Sequence, residues 1–172
     1  SIYLNNIPRV KDIETMLSLL SSLGSKIKIN KKKNAVEINN SKIIKTLASY
    51  SLVKTMRAGI LVLGPLLARF NNAITSFPGG CLIGSRPIDI HLKALAKLGV
   101  HYKIIKGYVH ASAPKGLIGA KINFTKISVG ATENLIIASS MAKGETILSN
   151  CAIEPEIKDL VNFLNKMGCK IK

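Results

Sequence analysis

The sequence predicts a mixed α/β (α+β) fold built from repeated units, and three observations carry that reading. Apolar helical stripes end at Gly24, Gly99 and Gly168 with one spacing. Two further helices, apolar on nearly every side, lie 73 positions apart. Short strand-like runs follow both kinds of helix, and recurrence over this length marks a domain assembled from like modules.

The stripes take their order from the glycines. Counting back 1, 4, 5, 8 and 11 positions, the first reads Leu23, Leu20, Leu19, Met16 and Ile13. The second reads Leu98, Leu95, Ala94, His91 and Ile88, and the third Met167, Leu164, Phe163, Leu160 and Ile157. This is helical periodicity closed by a glycine cap. A proline precedes each helix, at Pro8, Pro87 and Pro155, and strands are expected at 1–4, 26–29 and 102–105. The apolar helices are expected over 54–70 and 128–143, buried because no face is polar. Gly64-Pro65 should kink the first. The third module reaches Lys172 just as its strand should begin, and the first has no buried helix ahead of it. The chain 1–172 therefore reads as a single, incomplete domain of three modules, the first lacking its initial βα piece.

Composition bounds the function. At 172 residues, with 47% apolar and 20% charged residues, the chain can bury a core. A net charge of +16 makes nucleic acid the first partner to test. The longest basic run is only Lys31-Lys32-Lys33, aromatics are 5%, and no nucleic-acid motif is present. The longest apolar run, Ala58 to Ala68, has 11 residues, against the roughly 20 a membrane span needs. No secretory signal is visible. Cysteines at 81, 151 and 169 lack metal-ligand spacing and suit reduced thiols in a cytoplasmic protein. Neither a metal nor a cofactor is expected, and the partners should be small anionic molecules rather than nucleic acid or membrane.

One stretch departs from the repeat. From Phe77 to Ile90 the chain carries three glycines and two prolines, too many for a regular element. The spacing between modules falls here from 73 to 68, so the second module carries about five residues that the third does without. The surplus is Gly79-Gly80-Cys81-Leu82-Ile83-Gly84. A glycine-rich loop presenting Cys81 beside Arg86 suits an anionic substrate and a step needing a nucleophile or proton donor. Arg57, with Lys54 and Thr55, falls where the first buried helix should start. Lys126-Ile127-Ser128-Val129-Gly130-Ala131-Thr132 occupies the equivalent place before the second, and helix starts with local positive charge bind anions. Ser128 or Thr132 could equally be a cap. Asp89 is either a carboxylate favoured by its helix dipole or an acceptor for ligand. His91 occupies an apolar slot and reads as core; His101 and His110 read as surface, Cys151 and Cys169 as packing.

The wording Val53-Lys54-Thr55-Met56-Arg57-Ala58, the run Pro78 to Asp89, Lys126 to Thr132, and Glu154-Pro155-Glu156-Ile157 closely resemble the UDP-N-acetylglucosamine enolpyruvyl transferase (1-carboxyvinyltransferase) family of peptidoglycan synthesis. The resemblance runs end to end. It implies an inside-out α/β barrel of βαβαββ modules, helices inside and sheets outside, in each of two domains. It implies transfer of enolpyruvyl from phosphoenolpyruvate to the 3′-hydroxyl of UDP-N-acetylglucosamine through a tetrahedral ketal. By position, Cys81 resembles the family's proton-donating, fosfomycin-sensitive thiol, and Arg86 its phosphate ligand. Arg57, the run Arg86, Pro87, Ile88, Asp89 and Ile90, and the run Lys126, Ile127, Ser128 and Val129 would hold the UDP-sugar. A thiol among cations should ionise more readily. The family's Lys-Asn pair and its catalytic Asp have no counterpart here, so the 172 residues alone should be inactive or nearly so, with the missing second domain in another chain a candidate partner. The alternative is an inactive fragment that retains only UDP-sugar or anion binding. The related shikimate-pathway transferase shares the architecture, but no motif favours it.

Overall fold

The computed structural model describes residues 1–78 and 88–172, so Cys81, Arg86 and Pro87, with the glycine loop around them, lie outside the described residues. The described residues form two compact units, 1–60 with 75–78, and 61–74 with 88–172, so that β5 below begins in the second unit and ends in the first.

In the first unit the elements are β1 (Ile2–Leu4), α1 (Lys11–Leu23), β2 (Lys26–Asn30), β3 (Ala35–Asn39), β4 (Leu47–Ala48) and a single turn, α2 (Tyr50–Val53). β3 lies between β1 and β2, antiparallel to both. The register puts Ile2, Ile38 and Ile27 in one row and Tyr3, Glu37 and Lys28 in the next. Rows alternate faces, so isoleucine goes inward while Lys28 pairs with Glu37 at 3.3 Å on the other side. The basic run Lys31 to Lys33 is the exposed β2–β3 turn. Arg9 crosses to that turn, donating from Nη2 to the Lys31 carbonyl at 2.7 Å and from Nε to Asn34 Oδ1 at 2.9 Å.

A 3₁₀ helix, Arg57–Val62, carries the chain from the first unit into the second. There follow α3 (Leu63–Phe70), β5 (Asn72–Ser76), α4 (Asp89–Lys97), β6 (His101–Ile105), β7 (Tyr108–Ser112), β8 (Lys121–Asn123), α5 (Val129–Ser139), β9 (Ile147–Ser149) and α6 (Pro155–Lys166). β7 lies between β5 and β6. The β6–β7 hairpin turns on Lys106 and Gly107, both at positive φ, the requirement of a tight two-residue turn. β8 and β9 pair in parallel, joined through α5. α5 packs on α3, α4 and α6. Its buried residues, Ala131, Thr132, Asn134, Leu135, Ile136 and Ala138, cover most of its circumference, as its composition predicts.

The three glycine-ended helices close alike. Gly24, Gly99 and Gly168 stand at φ of 113°, 91° and 104°. Each donates its N–H to the carbonyl three residues back (Ser21, Ala96, Asn165) at 3.0 Å. The next N–H reaches Leu20, Leu95 or Leu164 at 3.0 to 3.3 Å. Only glycine takes that backbone conformation without strain. Burial along the stripes is less even. All five stripe residues of the α4 helix region are buried, whereas Phe163 on α6 and Met167 just past its end are exposed because α6 packs chiefly on α5.

One expected element differs. The span 54–70 is not one kinked helix but the 3₁₀ segment followed by α3. Pro65 supplies no N–H, and its ring would press on the Leu61 carbonyl in a continuous α-helix. α3 instead starts at Leu63, placing Pro65 in the first turn, where a missing donor loses nothing.

Candidate functional site

The N-terminal turns of α4 and α5 lie against each other. Ile88 is the buried cap residue of α4, and Asp89 and Ile90, both half-buried, open its first turn. Asp89 Oδ2 accepts from Lys93 Nζ at 3.0 Å, an i,i+4 pair with the acid N-terminal. That bond holds the Asp89 carboxyl below the usual carboxylate range, so it is an anion at neutral pH.

On α5, Lys126 and Ile127 are exposed in the approach, Ser128 is the cap and Val129 the first helical residue. Ser128 Oγ accepts from Ala131 N–H at 3.3 Å, which leaves its own hydroxyl hydrogen free to donate. Thr132 is wholly structural. Its hydroxyl donates to the Ser128 carbonyl at 2.8 Å and accepts from Ala152 N–H at 3.0 Å, fastening the α6 approach to the cap of α5. Thr132→Val keeps the volume and orphans the buried Ala152 N–H. It is expected to lower the unfolding free energy by about 1–3 kcal/mol in urea titration.

His91 joins the two turns. Its imidazole is buried, and a β-carbon at Gly130 would stand 3.5 Å from its Cε1. Asn134 Nδ2 lies 3.2 Å from His91 Nδ1, and Asn134 Oδ1 accepts from Gly64 N–H at 2.8 Å. The Gly64 N–H can only donate, which orients the carboxamide and makes His91 Nδ1 the acceptor; the ring proton is then on Nε2. Burial drives the His91 pKa down to about 4, against a smaller upward pull from Asp89.

Of the expected site residues, Ile88, Asp89 and Ile90 thus lead into His91, whose ring faces Gly130, the residue that follows Ser128 and Val129. Arg57 is exposed at the head of a six-residue 3₁₀ helix in the first unit, not in the first turn of an α-helix. Lys54 lies 4.9 Å from the centroid of the Tyr50 ring, and the Thr55 hydroxyl donates to the Leu52 carbonyl at 2.7 Å. Among the described residues no group of three or more His, Cys, Asp or Glu could hold a metal ion, and no helix is long and apolar enough to cross a membrane. Sequence reasoning passed over Asn134. The available signal was a carboxamide followed by four apolar residues in a helix expected to be buried.

The sequence pattern of EPSP synthase (3-phosphoshikimate 1-carboxyvinyltransferase) matches residues 2–172. The UDP-N-acetylglucosamine 1-carboxyvinyltransferase of Pelagibacter ubique (strain HTCC1062) is 73% identical over 171 residues, covering 99% of this chain and 40% of that protein. The protein of the same name from Coxiella burnetii (strain Dugway 5J108-111) is 50% identical over 170 residues, covering 99% of this chain and 39% of its own length. The chain thus spans about 40% of the length of these curated relatives. Among solved structures, the enolpyruvyl transferase NikO from Streptomyces tendae superposes with a TM-score of 0.84 at 18% identity, over 99% of this chain and 40% of that one. EPSP synthase from Acinetobacter baumannii gives 0.72 at 17% identity, over 99% and 39%. At such identities the likeness is one of fold, a mixed α/β architecture. The family pattern runs through both units, and on that match the chain belongs to the EPSP synthase family of enolpyruvyl (1-carboxyvinyl) transferases.

Proposed function

We propose that this chain is part of a UDP-N-acetylglucosamine enolpyruvyl transferase acting in peptidoglycan synthesis in the cytoplasm. The observation that carries the reading is 73% identity, over 99% of the chain, to a protein of that name. The substrates are phosphoenolpyruvate and UDP-N-acetylglucosamine. The sugar 3′-hydroxyl adds through its oxygen to C2 of phosphoenolpyruvate, its proton passing to a base outside these 172 residues, while Cys81 delivers a proton to C3, giving the tetrahedral ketal. Loss of phosphate with a proton from C3 then restores the double bond.

Arg86 takes the phosphate, where a fixed cation stabilises the departing charge. Arg57, Arg86 to Ile90, and Lys126 to Val129 hold the UDP-sugar. The approach of the α4 and α5 starts at His91 and Gly130 supports this, since an ionised Asp89 opens one helix and the Ser128 cap opens the other. The three alike helix ends support a scaffold of repeated βαβαββ modules, which we read as wound into an inside-out barrel. Coverage of about 40% supports placing the remaining catalytic groups outside these 172 residues, in further sequence or another chain.

The test is incubation with fosfomycin, with and without UDP-N-acetylglucosamine, read by mass spectrometry, beside a phosphate-release assay with both substrates. The expected result is an adduct on Cys81 that depends on the nucleotide sugar and is absent from Cys81→Ser, with no sustained phosphate release. Ordinary turnover would overturn the incompleteness of the site. Saturable UDP-sugar binding without any adduct would favour the second reading, a chain that only binds, which the partial coverage also allows.

A further inference from the structure

Asn134 is fully buried near the middle of α5, a helix whose neighbours offer it apolar company. A leucine there would bury more apolar surface but make no hydrogen bond. The carboxamide instead makes two directed bonds to two other helices, Oδ1 to the Gly64 N–H of α3 and Nδ2 to the His91 ring of α4. α3 has no side-chain cap of its own, and Gly64 stands at the second helical position, where a cap residue usually accepts. Asn134 therefore caps α3 from across the core.

The same residue reaches the candidate site. Gly130 and Asn134 are one turn apart on α5, and the His91 ring contacts both positions. Ile88, Asp89 and Ile90 immediately precede His91, and Lys126 to Val129 immediately precede Gly130. Both groups of proposed UDP-sugar contacts thus hang from helix turns tied to one amide. Neither aspartate, which cannot donate when ionised, nor leucine could accept from Gly64 and donate to His91 together.

We propose that Asn134, acting through His91, is a positioning residue for the UDP-sugar site: it fixes the first turns of α4 and α5 at the separation at which their contacts grip one ligand. This rests on the function proposed above. Contacts made by preorganised turns weaken sharply when the turns drift by fractions of an ångström.

The experiment titrates UDP-N-acetylglucosamine into the chain and into Asn134→Leu, His91→Leu and His91→Gln, by calorimetry, with ¹⁵N spectra of the imidazole and backbone. In the parent chain the His91 ring should show the Nε2–H tautomer at neutral pH. Asn134→Leu and His91→Leu should raise Kd on the order of tenfold. In both, amide signals of 89–91 and 129–131 should shift while those of α1 stay. His91→Gln restores an acceptor for Asn134 Nδ2 and should recover most of the affinity. His91→Leu leaves the Gly64 bond intact, so it reads the positioning effect even where Asn134→Leu fails to fold. Parent-like affinity in His91→Leu, or a Nδ1–H tautomer in the parent chain, overturns the proposal. A parent chain that binds no UDP-sugar overturns the proposed site itself, and the positioning role with it.

Discussion

Gly64→Ala is expected to cost this chain about 3–5 kcal/mol and most of its cooperative fold. Helix propensity alone predicts the reverse, because alanine is favoured over glycine inside a helix by about 1 kcal/mol. Packing decides the sign. A β-carbon at Gly64 would fall 2.2 Å from Asn134 Oδ1 and 2.6 Å from the Asn134 carbonyl oxygen. Neither atom can yield cheaply: the carbonyl is α5 backbone, and the carboxamide is held by His91. Relief requires α3 and α5 to part, which breaks the Gly64 to Asn134 hydrogen bond and opens the most buried part of the second unit. Against a total stability of about 5–15 kcal/mol that is a large share. Gly130→Ala is the control on the facing helix. Its β-carbon would meet His91 Cε1 at 3.5 Å, an ordinary contact, so propensity should prevail and stability should hold or rise by up to about 1 kcal/mol. The urea midpoint should fall in Gly64→Ala and hold or rise in Gly130→Ala, and a Gly64→Ala midpoint near the parent's would show that the two helices pack less closely than described.

The contrast between these glycines shows what could be read from the chain. The glycines at 24, 99 and 168 announce themselves because the apolar stripe ending at each is local, as is the cap they make. Gly64 gave a local signal too, through Pro65, but only that a helix would be disturbed. That the disturbance becomes a 3₁₀ segment and a fresh helix start depends on an acceptor 70 residues away, Asn134 Oδ1, which no window of sequence contains. His91 was correctly assigned to the core from its slot in the stripe, yet its partner lies on another helix. The same limit applies to the candidate site. The Lys126 to Thr132 run pointed to a helix start and left cap and ligand roles open. The structure assigns Thr132 to the scaffold and gives Ser128 a capping bond that does not exhaust its hydroxyl. The basic run at Lys31 invited a nucleic-acid reading, but its lysines are the solvated turn of a hairpin pinned by Arg9.

The buried imidazole makes the chain's stability depend on pH in a window whose upper part ordinary carboxylates leave clear. His91 has an ordinary value of 6.5 when unfolded and about 4 when folded. Between those values the unfolded chain binds a proton that the folded chain refuses, so stability rises with pH across the window. Above about 6.5 both states are neutral at His91 and the full stability is present. It is lost progressively as pH falls towards 4, by about 3 kcal/mol for this group, at roughly 1.4 kcal/mol per tenfold change in proton affinity. The direction follows from the hydrogen bond as well as from burial, because a protonated Nδ1 would meet the Asn134 Nδ2 hydrogens. Asp89 pulls the other way but is already engaged by Lys93, and carboxylate titration would blur the low end of a single curve. The measurement is therefore a difference: urea unfolding of the parent chain and of His91→Gln at intervals from pH 7.5 to 4.5. The glutamine does not titrate and can still accept from Asn134, so other groups cancel. The parent should lose stability relative to His91→Gln as pH falls below about 6.5. A flat difference across that range would mean that the imidazole is free to take a proton in the folded state, and that the bond from Asn134 does not hold it neutral.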